Sequence, residues 1–259
     1  MMAARPKKSP RSNPRARRIL TWVLLSLVTI LVAAVVGLLV WANVGVMQAE
    51  PGPLAVVQAN PAISITDYSD SVVLAPTGEA SGSGLIFIPG AKVDPNAYLY
   101  KLSGAVEETG VTVVVTKPIL NLAFFDLRAL TTFTDHVPGI STWSVGGHSL
   151  GGVRACQYGE QPDVSGLVLF GSYCANDLSN TKMRVLSLSG SDDGLSTPQK
   201  IRESSHLLPP GTIFFQIDGA NHASFGDYGA QPGDGTASLS SPTVRSIITE
   251  HLTDFFAAG

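Results

Sequence analysis

A chain of 259 residues can hold one sizeable domain, or a smaller one with appendages. Its formal charge of −3 hides an asymmetry: seven of its seventeen basic side chains (Arg5, Lys7, Lys8, Arg11, Arg15, Arg17 and Arg18) fall within residues 1–18, which hold no acid. The remainder sets ten basic residues against twenty acidic ones, which excludes a nucleic-acid partner for the body of the chain, because that affinity rests on neutralised phosphates.

Residues 19–41 follow the basic tail without a single charge, bracketed by Trp22 and Trp41. As a helix they would rise roughly 34 Å, enough for a hydrocarbon core of about 30 Å, with the two indoles at the interfaces. A cleaved signal peptide usually has an apolar core of only about 7–15 residues and a small-x-small cleavage site. The best such site here, Val40-Trp41-Ala42, is poor. The expectation is an uncleaved, single-pass signal anchor in the cell membrane. Positive charge on the inner side puts residues 1–18 in the cytoplasm and everything after Trp41 across the membrane.

Residues 42–65, with Ala49-Glu50-Pro51-Gly52-Pro53, read as a linker, and 66–259 as the folded domain. A strand is expected over 71–76, then a continuous apolar one over 84–88, the pattern of a strand buried on both faces. Asp94 and Pro95 start a helix as N-cap and first helical residue, and Gly110 ends it. Further strands are expected over 111–115, 142–145, 167–170, 185–188 and 213–217. Helices are expected within 122–134, over 150–159, and from Thr197-Pro198 to about 208. In the last helix Val244, Ile247, Ile248, His251, Leu252, Phe255 and Phe256 form one apolar stripe, with His251 a packed or rim histidine. Alternating strands and helices, the strands apolar throughout, predict an α/β fold: a mostly parallel sheet with helices on both faces, preceded by a single transmembrane helix. No internal repeat and no Cys/His metal spacing occurs. Cys156 and Cys174 lie beyond the anchor, where disulfides are permitted, but the sequence does not bring their Cα atoms together.

The stretch 145–152 contains Gly147-His148-Ser149-Leu150-Gly151 between a strand and a helix. That context forces the serine onto a sharp turn that projects its hydroxyl and brings the two backbones too close for side chains at Gly147 and Gly151. In a parallel sheet, ligands bind where the strands end. The loop after 185–188 offers Asp192 and Asp193, and the loop after 213–217 offers His222, in the chain order Ser, Asp, His. Ser149 is a feeble nucleophile unless His222 takes its proton, and the histidine needs a carboxylate to fix its tautomer. His206 falls in a helix, His136 in a connecting loop, and His148 is the variable residue of the turn. Asp218 is too near its strand. Asp193 is preferred to the adjacent Asp192, with Asp177 an outsider. The developing oxyanion would meet the backbone N–H groups of Leu150 and Ala91, and Lys92 is a candidate contact for an anionic substrate group.

Residues from about 70 to 257 resemble the alpha/beta hydrolase superfamily, in particular its compact, dienelactone-hydrolase-like serine hydrolases. The resemblance rests on the Ser149 motif, Gly190-x-x-Asp193 running to Pro198, Gly219-x-x-His222 and the segment 221–229. It places the acid at Asp193 and implies hydrolysis of carboxylic esters or related acyl bonds through an acyl-enzyme, with a small-molecule substrate and no cofactor. Two departures stand out: serine holds the position where dienelactone hydrolases carry cysteine, and only some ten residues separate Cys174 from Val185, where many relatives insert a lid. The rival expectation is a membrane-tethered binding protein that keeps the scaffold and does no chemistry. The Gly/Asp-rich run 226–235 lacks EF-hand spacing and reads as a solvated loop.

Overall fold

A computed structural model of the chain describes residues 14–257. Arg5, Lys7, Lys8 and Arg11 of the basic tail lie outside the described residues. The chain divides after Val44 into two compact units. The first is one helix, α1 (Pro14–Asn43), which extends beyond the expected span at both ends and carries Arg15, Arg17 and Arg18 in its opening turns. Its stretch Arg17–Asn43 contains an 18-residue window with a mean hydropathy of 3.0 and is long and apolar enough to cross a membrane.

In the second unit the expected linker is partly folded. Helix α2 (Pro51–Gln58) and strand β1 (Ile63–Asp67) occupy it. Pro51 and Pro53 sit in the first turn of α2, where no intrahelical N–H is required, so the Pro-Gly-Pro signature opens a helix instead of preventing one. Val57 is buried in the core, and Glu50 N–H donates to Asp227 O at 2.7 Å.

Strands β2 (Ser71–Pro76), β3 (Ser83–Ile88), β4 (Thr112–Thr116), β5 (Thr142–His148), β6 (Val164–Phe170), β7 (Arg184–Gly190) and β8 (Ile213–Ile217) complete an eight-stranded sheet of order β1-β2-β4-β3-β5-β6-β7-β8. β2 is antiparallel to both its neighbours and the remaining pairs are parallel. Alternate residues of the central strands feed two apolar layers. Leu85, Phe87, Val113 and Val115 pack with helix α3 (Leu99–Thr109) and the C-terminal helix, whereas Ile86, Ile88 and Val114 join Phe133, Ala155 and Tyr158 on the opposite face. That two-sided burial is why these strands read as continuous apolar runs.

Asp94 caps the approach to α3 by accepting from Asn96 N–H, and Gly110 closes it at φ 69°, in the left-handed region. The helix expected within 122–134 is almost absent: one turn, α4 (Thr131–Thr134), and one 3-10 turn (Ala123–Phe125) lie in an otherwise irregular path. After β5 come α5 (Leu150–Tyr158) and α6 (Pro198–Ser204), the latter capped by Thr197 accepting from Lys200 N–H. Last is α7 (Ser241–Ala257), whose Val244, Ile248, Leu252 and Phe255 are buried. His251 packs on the Phe215 ring, centroids 4.0 Å apart. β8 pairs only with β7, so Ile213, Phe214 and Phe215 stay exposed although their run reads as apolar. Between β6 and β7 only turns occur, with no inserted helix.

Candidate active site

The carboxyl ends of β5, β7 and β8 converge on one rim. Ser149 sits between β5 and α5 at φ 53°, ψ −125°, a backbone conformation that costs a non-glycine residue roughly 1–3 kcal/mol. Its neighbours hold it there. Ser149 N–H donates to Phe170 O at 3.1 Å, and its carbonyl accepts from Ser172 Oγ at 2.7 Å. A Cβ on Gly147 would lie 2.4 Å from the Gly151 carbonyl carbon, and one on Gly151 only 2.0 Å from Ile88 O. The turn is therefore as tight as its glycines imply.

Cys156 of α5 and Cys174 in the loop after β6 form a disulfide, with Cα atoms 5.5 Å apart. The helix behind Ser149 is thus cross-linked to the loop that carries Ser172, a pairing the sequence left open.

His222 opens a 3-10 turn after β8 and is fully buried. Its Nδ1 lies 2.8 Å from Asp193 Oδ2. Asp193 Oδ1 accepts from the backbone N–H groups of Leu195 at 2.8 Å and Ser196 at 2.7 Å, which orients the carboxylate. Nδ1 must then carry the ring proton, which leaves the Nε2 lone pair as acceptor; this buried nitrogen has no hydrogen-bond partner among the described residues. Asp192 is exposed, with its carboxylate on Ser191 Oγ at 3.2 Å, and Asp177 is exposed and accepts from Ser179 N–H. The structure therefore brings Asp193 and His222 together and leaves the other two acids aside. No hydrogen bond joins Ser149 Oγ to Nε2 among the described residues, a contact that is often long in unliganded sites.

The loop 89–92 faces the elbow. Gly90 N–H donates to Tyr98 Oη at 2.9 Å, and that hydroxyl lies 2.9 Å from His148 Nδ1. Lys92 adopts φ 56° and donates its N–H to Asn121 O at 2.8 Å, and its ammonium lies beside Gly45. Neither Ala91 N–H nor Leu150 N–H is committed to another group among the described residues.

Two residues at the rim escaped the sequence reading. His148 is fully buried and packs against His222 with the rings tilted by 44° and centroids 4.4 Å apart. Burial first, and then the neighbouring His222, hold its imidazole well below the ordinary histidine range, so it is neutral at pH 7. A neutral ring here adds no charge to repel a proton arriving at His222. Asp234, in the run taken for a solvated loop, accepts from Gly194 N–H (3.1 Å), His222 N–H (3.0 Å) and Gly235 N–H (2.7 Å) through Oδ1 and from Ala223 N–H (2.9 Å) through Oδ2. It ties the loop bearing Asp193 to the turn bearing His222. The one available hint was an aspartate flanked by glycines, which any turn would offer.

Farther out, Lys101 of α3 is buried against Asp227 at 2.8 Å and also reaches Ser241 Oγ. Burial lowers the lysine and Asp227 opposes that shift. With Asp227 N–H donating to Ala97 O at 2.7 Å, this pair fixes the chain leaving the His222 turn against α3 and the start of α7.

A sequence model described as "Alpha/beta hydrolase family" matches residues 84–246. No curated protein matches the sequence. Many solved structures share the fold. Alpha/beta hydrolase domain-containing protein 10 from mouse is 11% identical with a TM-score of 0.55, over 76% of this chain and 98% of that one. The esterase domain of a Rhodothermus marinus protein is 14% identical with a TM-score of 0.53, over 74% and 97%. An esterase from Pyrobaculum calidifontis is 13% identical with a TM-score of 0.55, over 78% and 88%. At such identities the likeness extends to the fold alone.

Proposed function

Since the chain belongs to the alpha/beta hydrolase family, we propose that it is a membrane-anchored serine hydrolase that cleaves carboxylic esters or related acyl bonds. The observation that carries the reading is the buried His222–Asp193 pair, which leaves one imidazole nitrogen as an unpartnered acceptor on the rim that bears Ser149. Family membership and the esterases among the structural neighbours support the coarser reading, a hydrolase.

In the proposed mechanism, Ser149 Oγ attacks the acyl carbon while His222 Nε2 takes its proton, and the Asp193 carboxylate stabilises the resulting imidazolium. The carbonyl oxygen gains charge in front of Ala91 N–H and Leu150 N–H, both of which are uncommitted; losing one such donor typically costs about 2.7–4 kcal/mol of barrier. The intermediate collapses to an acyl-Ser149 ester as His222 returns the proton to the leaving alcohol. Water, deprotonated by the same nitrogen, then releases the acid and restores Ser149. Lys92 can meet an anionic substrate group only if its ammonium leaves Gly45.

α1 serves as the anchor in this reading, with the basic tail in the cytoplasm and residues 45–259 across the membrane. The Cys156–Cys174 disulfide supports that side, because such bonds persist in oxidising compartments. Proteolysis of sealed vesicles, which should reach the hydrolase unit from outside only, tests the orientation.

The chemistry is tested by comparing the full chain with Ser149→Ala on a panel of ester substrates and with a serine-directed fluorophosphonate. Turnover and labelling should both vanish in the variant. Activity that survives the substitution overturns the nucleophile, and a protein inert to every substrate and to the probe returns the case to a binding role.

A further inference from the structure

The path from β4 to α4 carries an unusual surface. Ile119, Phe124, Phe125 and Leu127 are all exposed along nine residues, Phe124 at 73% and Leu127 at 78%. Scattered exposed apolar side chains need no explanation, but a run of them marks a binding surface. The charges within the segment cancel locally: the buried Asp126 carboxylate is held by Arg128 Nε at 2.8 Å. What remains outward is hydrocarbon.

Two contacts join this surface to the catalytic rim. Asn121 O accepts Lys92 N–H, at the end of the loop that offers Ala91 N–H. The turn over Ala123–Phe125 packs against α5, whose first residue, Leu150, follows the nucleophile and is itself exposed. Backbone strain points to the same place. Among the described residues the non-glycines with positive φ are Lys92 (56°), Leu120 (59°), Asn121 (56°) and Ser149 (53°), all of them in this loop-and-elbow assembly. A leucine has no side-chain hydrogen bond to ease such a conformation, so its surroundings impose it, as happens where ligands are gripped.

We infer that residues 119–127, with Leu150, form a platform for the hydrocarbon chain of the acyl group, so that the protein selects medium-length or longer acyl chains over short ones. This rests on the serine-hydrolase reading and names its substrate class. The occupant is an acyl chain because the segment packs against α5, which begins at Leu150 directly after Ser149, to which the carbonyl end of that chain must reach. A lidless rim leaves the platform open, so selection comes from contact along the chain and not from enclosure.

The test uses the full chain in lipid nanodiscs and the variant Phe124→Ser/Leu127→Ser, both positions being too exposed to disturb the core. Ser149 labelling rates are measured with an ethyl and a decyl fluorophosphonate, and kcat/KM with butyryl and decanoyl esters. Partition of the long reagents into lipid is common to both proteins and cancels in their ratio. The wild type should favour the long reagent, and the long-to-short ratio should fall roughly tenfold or more in the variant. An unchanged ratio overturns the inference. So does an equal fall with both reagents, which would mean that the segment acts only by shaping the Ala91 loop. A wild type labelled by neither reagent refutes the hydrolase reading itself and this inference with it, an outcome distinct from labelling without chain preference.

Discussion

Asp193→Asn probes the candidate site without altering its shape. The backbone N–H groups of Leu195 and Ser196 hold Oδ1 at 2.8 and 2.7 Å, so the amide oxygen of asparagine must occupy that position. The amide NH2 then falls where Oδ2 stood, 2.8 Å from His222 Nδ1. Two donors cannot face each other in a buried pair, so Nδ1 gives up its proton and Nε2 acquires one. The nitrogen that should take the Ser149 proton is now a donor. Trapping the wrong tautomer in this way costs roughly 10⁴-fold in kcat, which is about 5.5 kcal/mol of barrier. Steady-state ester hydrolysis reads the loss, and the rate of fluorophosphonate labelling reads it independently of turnover. A thermal melt close to wild type would exclude unfolding as the cause. Asp192→Asn serves as the control and should change the rate by less than about threefold, because that side chain is exposed. Asp193→Asn within tenfold of wild type would refute the tautomer argument.

Asp234→Ala removes the acceptor of four backbone N–H groups and should lower kcat by about 10²-fold through loosening of His222, with a stability loss of roughly 2 kcal/mol; Asp234→Asn, which keeps the Oδ1 acceptor, should recover much of the kcat in the same assay. Replacing both Cys156 and Cys174 by alanine opens a loop of sequence separation 18 and should cost about 3 kcal/mol, read as a fall of roughly 6–12 °C in Tm. Lys101→Met leaves Asp227 buried without its cation and should cost roughly 3–5 kcal/mol in urea unfolding, most of it restored by also replacing Asp227 with leucine. Gly151→Ala sets a methyl group against the carbonyls of Ile88 and Pro89 and should abolish probe labelling even where soluble protein is recovered.

The sheet was legible wherever burial is two-sided, because apolar runs such as 84–88 and 111–115 have no other use in a chain of this composition. The turn at Ser149 was legible from its glycines, whose absent side chains are a physical requirement of the close approach now measured. Strand-end logic led to the loops of Asp193 and His222, and the spacing Gly190-x-x-Asp193 favoured Asp193, the one of the two adjacent aspartates that lies beside His222. Asp234 was illegible because its partners are backbone groups, three of them brought in by the loops of Gly194 and His222, and no residue pattern encodes them. His148 looked like a free position of the turn, yet its ring contact with His222 exists only once β5 and β8 share a rim. Prolines misled at 51–53, where a helix start imitates a linker. The 122–134 region misled in the opposite direction: Leu122, Ala123, Leu130 and Phe133 are buried from a mostly irregular path, and Phe124, Phe125 and Leu127 stay exposed.

The crowded glycines at the elbow decide where selectivity can be engineered. Positions 147 and 151 cannot accept even a methyl group, because the atoms in the way are backbone. Directed evolution aimed at these two positions beside Ser149 would therefore exhaust itself on dead variants. Libraries confined to the solvent-facing side chains Ile119, Phe124, Phe125 and Leu127 can change shape and polarity while the turn keeps its geometry.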